Sequence, residues 1–472
     1  VAEAKNQFDL IVVGSGPGGY ATAIRGAQLG MKTAIVERDK LGGICLNWGC
    51  IPTKALLRTS EVFHLMENAE AFGLGKVKPV AHIEKIVERS RGVSKQMENG
   101  IGFLMKKHKI TVIQGTAKLQ AGKPAPKVVV TGGAGEGTYT AKHVIMATGA
   151  RARAIPQAGL VPDGDRIWSY REALVPKEVP KKLLVIGSGA IGIEFASFYN
   201  TLGSETTVIE ALDRILPVED AEISGFVDKQ LSKQGMNLIK SAQVQNLTKG
   251  KNNVTAEVKL KDGKVEKITA DVVIVAVGIV GNVEDTGLAE VGAKIDRTHV
   301  TVDGFGRTGV PGLYAIGDLT GPPWLAHKAT HEGIVCVEKI AGQNPHEFKT
   351  DNIAGCTYCH PQVASVGLTE AAAKEKGHKV KVGRFPFIGN GKAVALGEPE
   401  GIIKTVFDEK TGELLGAHMA GAEVTELIQG FVIARQGELT EAEIMETIFP
   451  HPTLSEMMHE STLDAYDRAI HI

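Results

Sequence analysis

Twice in this chain an apolar strand-like run ends in a glycine turn, passes into a helical stretch and returns as a strand closed by glutamate. The first copy leads from residues 8–13 through Gly14-Ser15-Gly16-Pro17-Gly18-Gly19 to KTAIVE and Glu37. The second leads from residues 183–186 through Gly187-Ser188-Gly189-Ala190-Ile191-Gly192 to ETTVIE and Glu210. The registers coincide, since 37 − 14 and 210 − 187 both give 23. In such a βαβ unit the first glycine (Gly14, Gly187) makes the tight turn, and the second (Gly16, Gly189) lets backbone approach a pyrophosphate. The third (Gly19, Gly192) lets helix and strand pack closely, the helix N-terminus attracts phosphate, and the glutamate accepts from a ribose hydroxyl. One such turn is a weak signal that an ordinary glycine turn would also explain. Two in register predict two dinucleotide sites. Glu210 would repel a 2′-phosphate and Ala211-Leu212 offer no arginine to receive one, so the second site is expected to take NAD; Arg214 reads as a solvated surface charge.

A chain of 472 residues supports about three domains. Its 56 glycines exceed the roughly 33 that usual composition gives, and they fall at the ends of strand-like runs rather than in low-complexity tracts. The formal net charge of −1 offers no basic stripe for nucleic acid, and no apolar run approaches the ~20 residues of a membrane span. The start, VAEAKNQFDL, has neither an apolar signal core nor an arginine-rich amphipathic stretch. The expected compartment is the cytoplasm of a bacterium, or the mitochondrial matrix for a eukaryotic chain whose transit peptide has been removed. Helical patterns cover roughly 54–72 and 82–108, and the proline-rich stretches near 155 and 175–180 read as crossings between domains. From about residue 351, strand patterns KVKVGRFPF, GIIKTVFD and LLGAHMAG alternate with helices as in an α+β domain. The fold class is therefore α/β, with two Rossmann-like domains and a C-terminal α+β domain.

Five cysteines are too few for a secreted disulfide framework. Cys45 and Cys50 stand in GICLNWGCIPTK, soon after the first glycine turn. In a regular helix positions five apart lie about 8.6 Å from each other, beyond the ~7 Å that a disulfide allows. The intervening residues must therefore bend to bridge them, with Gly49 giving the freedom and Pro52 suiting the first turn of the next helix. Two buried thiols or a structural bridge are the bland alternatives; beside a dinucleotide site, two-electron exchange with a dithiol is the sharper one. Cys336 reads as core. Cys356 and Cys359, on opposite faces of a strand and without a second pair, read as core or edge thiols rather than a zinc site, and no metal is expected.

His451-Pro452-Thr453-Leu454-Ser455-Glu456 suits either a capped helix start or a His–Glu pair that orients an imidazole for proton transfer. In YAIGD a short strand ends at Gly317-Asp318, where the aspartate suits a ribityl hydroxyl, a helix cap, or both. His327 is open between packing and lining a flavin.

In GSGPGG, GGICLNWGCIPTKALL, ATG, GSGAIGIEF, YAIGD, LAHKA and HPTLSE the chain resembles the pyridine nucleotide–disulfide oxidoreductases over essentially its full length. The likeness is greatest to members that reoxidise dihydrolipoyl groups. The resemblance implies FAD in the first unit, NAD in the second, and a homodimer whose C-terminal domain brings His451 to the partner's disulfide. It implies an FAD domain begun by 1–150 and completed by 279–350, an NAD domain over 151–278 and a dimerisation domain over 351–472. Cys45 becomes the exposed interchange thiol and Cys50 the thiol against the flavin, with Lys54 and Glu194 paired beside the ring. Asp318 holds the ribityl chain, Thr148-Gly149 close over the flavin, and Ala326 of LAHKA lines it. Ala117 and Val244 are backbone neighbours of FAD and NAD. Gly278 ends the strand at the second site, with Ile279-Val280 where an arginine often follows. The implied partners are dihydrolipoamide and the lipoyl domains and acyltransferase core of a 2-oxo acid dehydrogenase complex, or a glycine-cleavage system. The rivals are another disulfide reductase with a glutathione-like substrate and a non-catalytic scaffold subunit.

Overall fold

The computed structural model describes residues 6–472, so part of the start from which the compartment was read, residues 1–5, lies outside the described residues. The chain divides into two units, one of residues 1–55, 87–153 and 279–350, the other of 56–86, 154–278 and 351–472. The division falls inside the helices Cys50–Glu67 and Ile83–Lys107. The grouping of 56–86 with the C-terminal residues has no counterpart in the sequence patterns.

In the first unit the strands Thr111–Gln114, Thr33–Glu37, Gln7–Val13 and Gly137–Met146 lie side by side and parallel, with Leu313–Ala315 parallel to the last. The first half of Gly137–Met146 also pairs antiparallel with Lys127–Thr131, which continues to Thr116–Gln120. Along Gln7–Val13 alternate side chains enter different cores: Ile11 and Val13 join one, Leu10 and Val12 the other. Burial on both faces is what an apolar run in a parallel sheet predicts. The helices Pro17–Gln28 and Ala326–Ile340 pack through small residues, since a Cβ on Gly18 would stand 3.0 Å from Ala329 O. Ile279–Gly281, which includes Ile279 and Val280, forms an antiparallel ribbon with Ala150–Ala152.

In the second unit the strands Asn237–Ile239, Glu205–Ile209, Lys182–Ile186, Val272–Val275 and Ile167–Trp168 form a parallel sheet. An antiparallel meander of Gln243–Lys249, Val254–Lys259 and Val265–Ala270 shares its core. The C-terminal part is a five-stranded antiparallel sheet that includes Val380–Pro386, Ile402–Asp408 and Leu414–Gly421, the three patterned strands of the sequence. The helices Val424–Gln436 and Glu456–Asp464 join its apolar core, and no described helix is long and apolar enough to cross a membrane.

Candidate active site

The two glycine turns are built alike. Gly14 and Gly187 hold φ +100° and +99°, a left-handed region that favours glycine. A Cβ on Gly19 would collide with Gly14 O, and one on Gly192 with Gly187 O, so helix meets strand only because both lack side chains. Around Gly16 and Gly189, by contrast, a Cβ would meet nothing within 4 Å. That is open space at the N-cap of a 12-residue helix in each case, where unpaired amide N–H groups favour a phosphate. Ala190 and Ile191 open the second helix, with Ile191 exposed.

Each terminal glutamate ties its strand to its own turn. Glu37 Oε2 accepts from Ser15 N at 2.9 Å and Ser15 Oγ at 2.6 Å, and its Oε1 accepts from Asp39 N at 2.8 Å. Glu210 repeats this with Ser188 N at 2.9 Å, Ser188 Oγ at 2.6 Å and Leu212 N at 2.8 Å. Each carboxylate keeps lone-pair capacity for a ribose hydroxyl. The two serines were passed over in the sequence although they share a position in the repeat, a signal that would have found them. Arg214 departs from the solvated charge expected of it: it is half-buried, Nη2 reaches Pro217 O at 3.5 Å, and Nε finds no partner among the described residues. Val244 is buried in the meander next to Ala242, whose N–H bonds Glu210 O at 2.9 Å, and Gly278 takes φ +102° with open space around it.

The thiols lie in the first unit, soon after its strand Thr33–Glu37. Gly42 N donates to Ser15 O at 3.0 Å, and a Cβ on Gly43 would stand 2.7 Å from Gly16 Cα, so the cysteine segment starts against the phosphate cradle. Its helix, Gly43–Trp48, carries Cys45 and stops at Gly49; the next, Cys50–Glu67, begins with Cys50 and has Pro52 in its first turn. The break at Gly49 brings the sulfurs together as two hydrogen-bonded thiols. That bond with Cys50 is the main reason the Cys45 proton is held far more tightly than in an ordinary thiol; burial adds to it, and the Lys54 cation opposes it. Cys50 stands at a helix N-terminus, which favours negative charge on sulfur. In the chain alone Cys50 is exposed and Cys45 half-buried, because Cys45 sits within a helix packed on the core.

Two arginines that the sequence reading missed brace this segment from Ile83–Lys107. Arg91 donates to Asn47 O at 2.5 Å and lies 4.3 Å from the Trp48 ring centroid, while Arg89 donates to Ala55 O at 2.8 Å. Asn47 Nδ2 bonds Leu41 O and Gly43 O.

The remaining first-unit candidates frame the same region. Thr148 Oγ1 donates to Asn282 O, Asn282 Nδ2 returns to Thr148 O, and Gly149 takes φ +66° with no neighbour to crowd a Cβ. Ala117 lies in the strand Thr116–Gln120, close behind Gly115, whose N–H bonds Glu37 O. Ala326 opens the 15-residue helix Ala326–Ile340, whose start has no side-chain cap. Asp318 lies in the 3₁₀ turn Gly317–Thr320, which also has no side-chain cap, so the capping role offered for it is not taken up. Its carboxylate accepts no hydrogen bond from any described residue, and burial pushes it up to about 6. A largely desolvated, unsatisfied acceptor beside a phosphate cradle fits a polyhydroxyl chain, as FAD would present.

In the second unit His451 Nδ1 lies 2.9 Å from Glu456 Oε1, and Glu456 Oε2 accepts from Thr453 N at 2.9 Å. Burial works to raise the Glu456 carboxyl, but the Thr453 N–H and His451 outweigh it and hold it below the usual range. Glu456 opens the helix Glu456–Asp464 without a capping bond from Ser455; one of its carboxylate oxygens takes the Thr453 N–H and the other meets the histidine. Glu194, also in this unit, is buried and accepts from Tyr358 N at 2.9 Å. Cys336 and Cys359 are buried and Cys356 half-buried, and no group of His, Cys, Asp and Glu among the described residues could hold a metal.

Two dinucleotide cradles of one design, with a thiol pair folded against the first, define a two-electron dithiol oxidoreductase. Residues 8–333 match the pyridine nucleotide-disulphide oxidoreductase family and residues 353–462 its dimerisation domain, and the chain belongs to that family. It is 58% identical to the dihydrolipoyl dehydrogenase of Rhizobium etli, over 98% of this chain and 99% of that protein. It is 56% identical to the dihydrolipoyl dehydrogenase of Zymomonas mobilis, over 99% of each. The crystal structure of LpdA from Mycobacterium tuberculosis superposes with a TM-score of 0.88 at 26% identity, covering 96% of this chain and 98% of that one.

Proposed function

We propose that this protein is a dihydrolipoyl dehydrogenase that binds FAD and NAD, acts as a homodimer, and serves the lipoyl domains of a 2-oxo acid dehydrogenase complex in the cytoplasm. The observation that carries the reading is the hydrogen-bonded Cys45–Cys50 pair set against the first glycine turn. Bound FAD supplies a two-electron acceptor for the thiol pair and a hydride donor for NAD⁺. The chain supplies position and proton transfer. His451, its Nδ1 held by Glu456, takes a thiol proton from dihydrolipoamide at Nε2. The resulting thiolate attacks Cys45 Sγ of the oxidised pair, so that a substrate–Cys45 disulfide forms as the Cys45–Cys50 bond breaks, with the electron pair left on Cys50. The second substrate thiol then attacks its own disulfide sulfur, closing the lipoyl ring and releasing Cys45, to whose sulfur the proton of that thiol passes. Cys50, at its helix N-terminus, is the member suited to carry the thiolate charge, while Cys45 keeps its proton. Residues 14, 16, 19, 37, 149 and 318 are proposed to hold FAD, and residues 187, 189, 192, 210, 244 and 278 to hold NAD.

The test compares dihydrolipoamide with NAD⁺ or NADP⁺ against glutathione disulfide with NADPH, and records visible spectra during stepwise addition of NADH and dihydrolipoamide. Rapid NAD⁺ reduction and a long-wavelength thiolate-to-flavin band are expected. Preference for glutathione disulfide would move the chain to another branch of the family, and a colourless purified protein would make it a scaffold.

A further inference from the structure

The helix Ala326–Ile340 carries a buried charge that none of the steps above uses. Lys328 is 2% exposed, and its amine donates at 3.0 Å each to Gly317 O, Thr320 Oγ1 and Gly321 O, while pairing with Glu332 Oε1 at 2.9 Å. Glu332 Oε2 accepts from Gly317 N at 2.7 Å, its Oε1 lies 3.4 Å from Thr320 Oγ1, and Thr320 Oγ1 donates to Gly317 O at 2.8 Å. One lysine and one glutamate, a helical turn apart, thus satisfy both ends of the turn 317–321. Nothing in that turn bonds the Asp318 carboxylate.

A buried ion pair carries a large desolvation cost for each ion, so its retention calls for work that an apolar pair would not do. Leucine and methionine at 328 and 332 would fill the volume but would leave Gly321 O and the Gly317 N–H without these partners, and Gly317 O with the Thr320 hydroxyl alone. The turn is therefore built around the charges, and the residue it carries is the unsatisfied Asp318. We propose that Lys328 and Glu332 are positioning residues for FAD: together they fix the 317–321 turn, and Lys328 supplies the positive charge that keeps the Asp318 carboxylate able to accept from the ribityl chain.

The inference rests on the reading of Asp318 as an FAD ligand and adds a pH dependence to it. Burial raises Asp318 to about 6, Lys328 pulls it down and Glu332 pushes it up. From the adjoining strand His299–Val300, His299 faces Lys328; burial and Lys328 hold it below its usual value, and Asp296 opposes them. An ionised Asp318 accepts the flavin's hydroxyl, so FAD retention is lost as pH falls through its pKa. Removing Lys328 should move that loss to higher pH. Removing the Glu332 charge should move it to lower pH, although both changes loosen the turn.

The experiment uses purified holoenzyme of wild type, Lys328→Met, Lys328→Arg and Glu332→Gln. It follows FAD release by the rise in free-flavin fluorescence from pH 5 to 8.5, with circular dichroism as the check on folding. Expected are at least tenfold faster release from Lys328→Met at pH 7, a midpoint moved to higher pH in Lys328→Met and to lower pH in Glu332→Gln, and partial rescue by Lys328→Arg. A Lys328→Met protein that keeps FAD with the wild-type pH profile overturns the proposal. If Lys328→Met does not fold, the direction of the Glu332→Gln midpoint decides: a shift to higher pH or none overturns it. A wild type that purifies without flavin overturns the FAD reading and the inference with it, whereas a yellow wild type beside unchanged variants overturns the inference alone.

Discussion

His451 keeps 80% of its side chain exposed even though Glu456 holds its Nδ1, so the ring is oriented on one edge and open on the other. An imidazole presented in this way can exchange a proton with a substrate thiol while its tautomer stays fixed. His451→Gln should lower the dihydrolipoamide reaction by roughly 10²–10⁴-fold, the usual contribution of a general base. It should leave NADH oxidation by an artificial acceptor near wild type; equal loss of both activities, measured side by side, would refute the role. Glu456 is held below its usual range, so its interaction with His451 is complete above the ordinary carboxylate pKa and is lost only as pH falls through the depressed value. The His–Glu pair was legible because its members stand five residues apart in one short motif. Lys328 was not, since a lysine near the start of a helix reads as solvated and only the fold shows three carbonyl and hydroxyl oxygens wrapped around it.

At the scale of elements the two βαβ units set the terms, because their close approach is made by missing side chains rather than by any special contact. A Cβ on Gly192 would overlap Gly187 O and stand 3.3 Å from Ala276 Cβ. Gly192→Val therefore has to lift the helix from its strand, an overpacking cost of about 1–3 kcal/mol. We expect it to raise the KM for NAD⁺ by roughly 5- to 150-fold, that cost converted at 1.4 kcal/mol per decade. Flavin content and anaerobic bleaching by dihydrolipoamide should be unchanged, and loss of the yellow colour would show that the two cradles are not independent. This much could be read from the sequence because glycine spacing and strand-end acids report directly on backbone geometry. The alliance of residues 56–86 with the C-terminal part could not, since it depends on long-range packing such as Phe72 against Gly397, which no local pattern announces.

Across the molecule, distant stretches of chain are joined through charges placed where periodicity predicts apolar core. Within the second unit Lys404, in the strand Ile402–Asp408, is 3% exposed and bonds Asp220 at 2.9 Å, Glu222 at 3.1 Å and Glu370 at 2.8 Å; Arg384 adds a second bond to Glu222 at 2.8 Å. Asp220 and Glu222 flank the start of Ala221–Lys233 in the dinucleotide-binding part, whereas Lys404 belongs to the C-terminal sheet. Against burial, which works to raise them, Lys404 holds Asp220 low, and Arg384 with Lys404 hold Glu222 low; Glu370 is lowered first by Lys374 and then by Lys404. Carboxyls depressed in the folded state stabilise it above their ordinary pKa, and that contribution is lost as pH falls through the depressed values. Glu219, raised by burial, runs the other way, its penalty at neutral pH relieved on protonation. Lys404→Met would strand Asp220 and remove one of the cations of Glu222 and Glu370, which keep Arg384 and Lys374; breaking a buried pair costs about 3–5 kcal/mol. The variant should unfold at lower denaturant than wild type at pH 7. Its deficit should shrink as the pH is lowered toward 4, because protonation then relieves these acids while wild type is losing its own stabilisation. Parallel urea titrations at several pH values measure the difference. A deficit independent of pH would mean that Lys404 contributes packing alone, and that the charges do not join these parts of the chain.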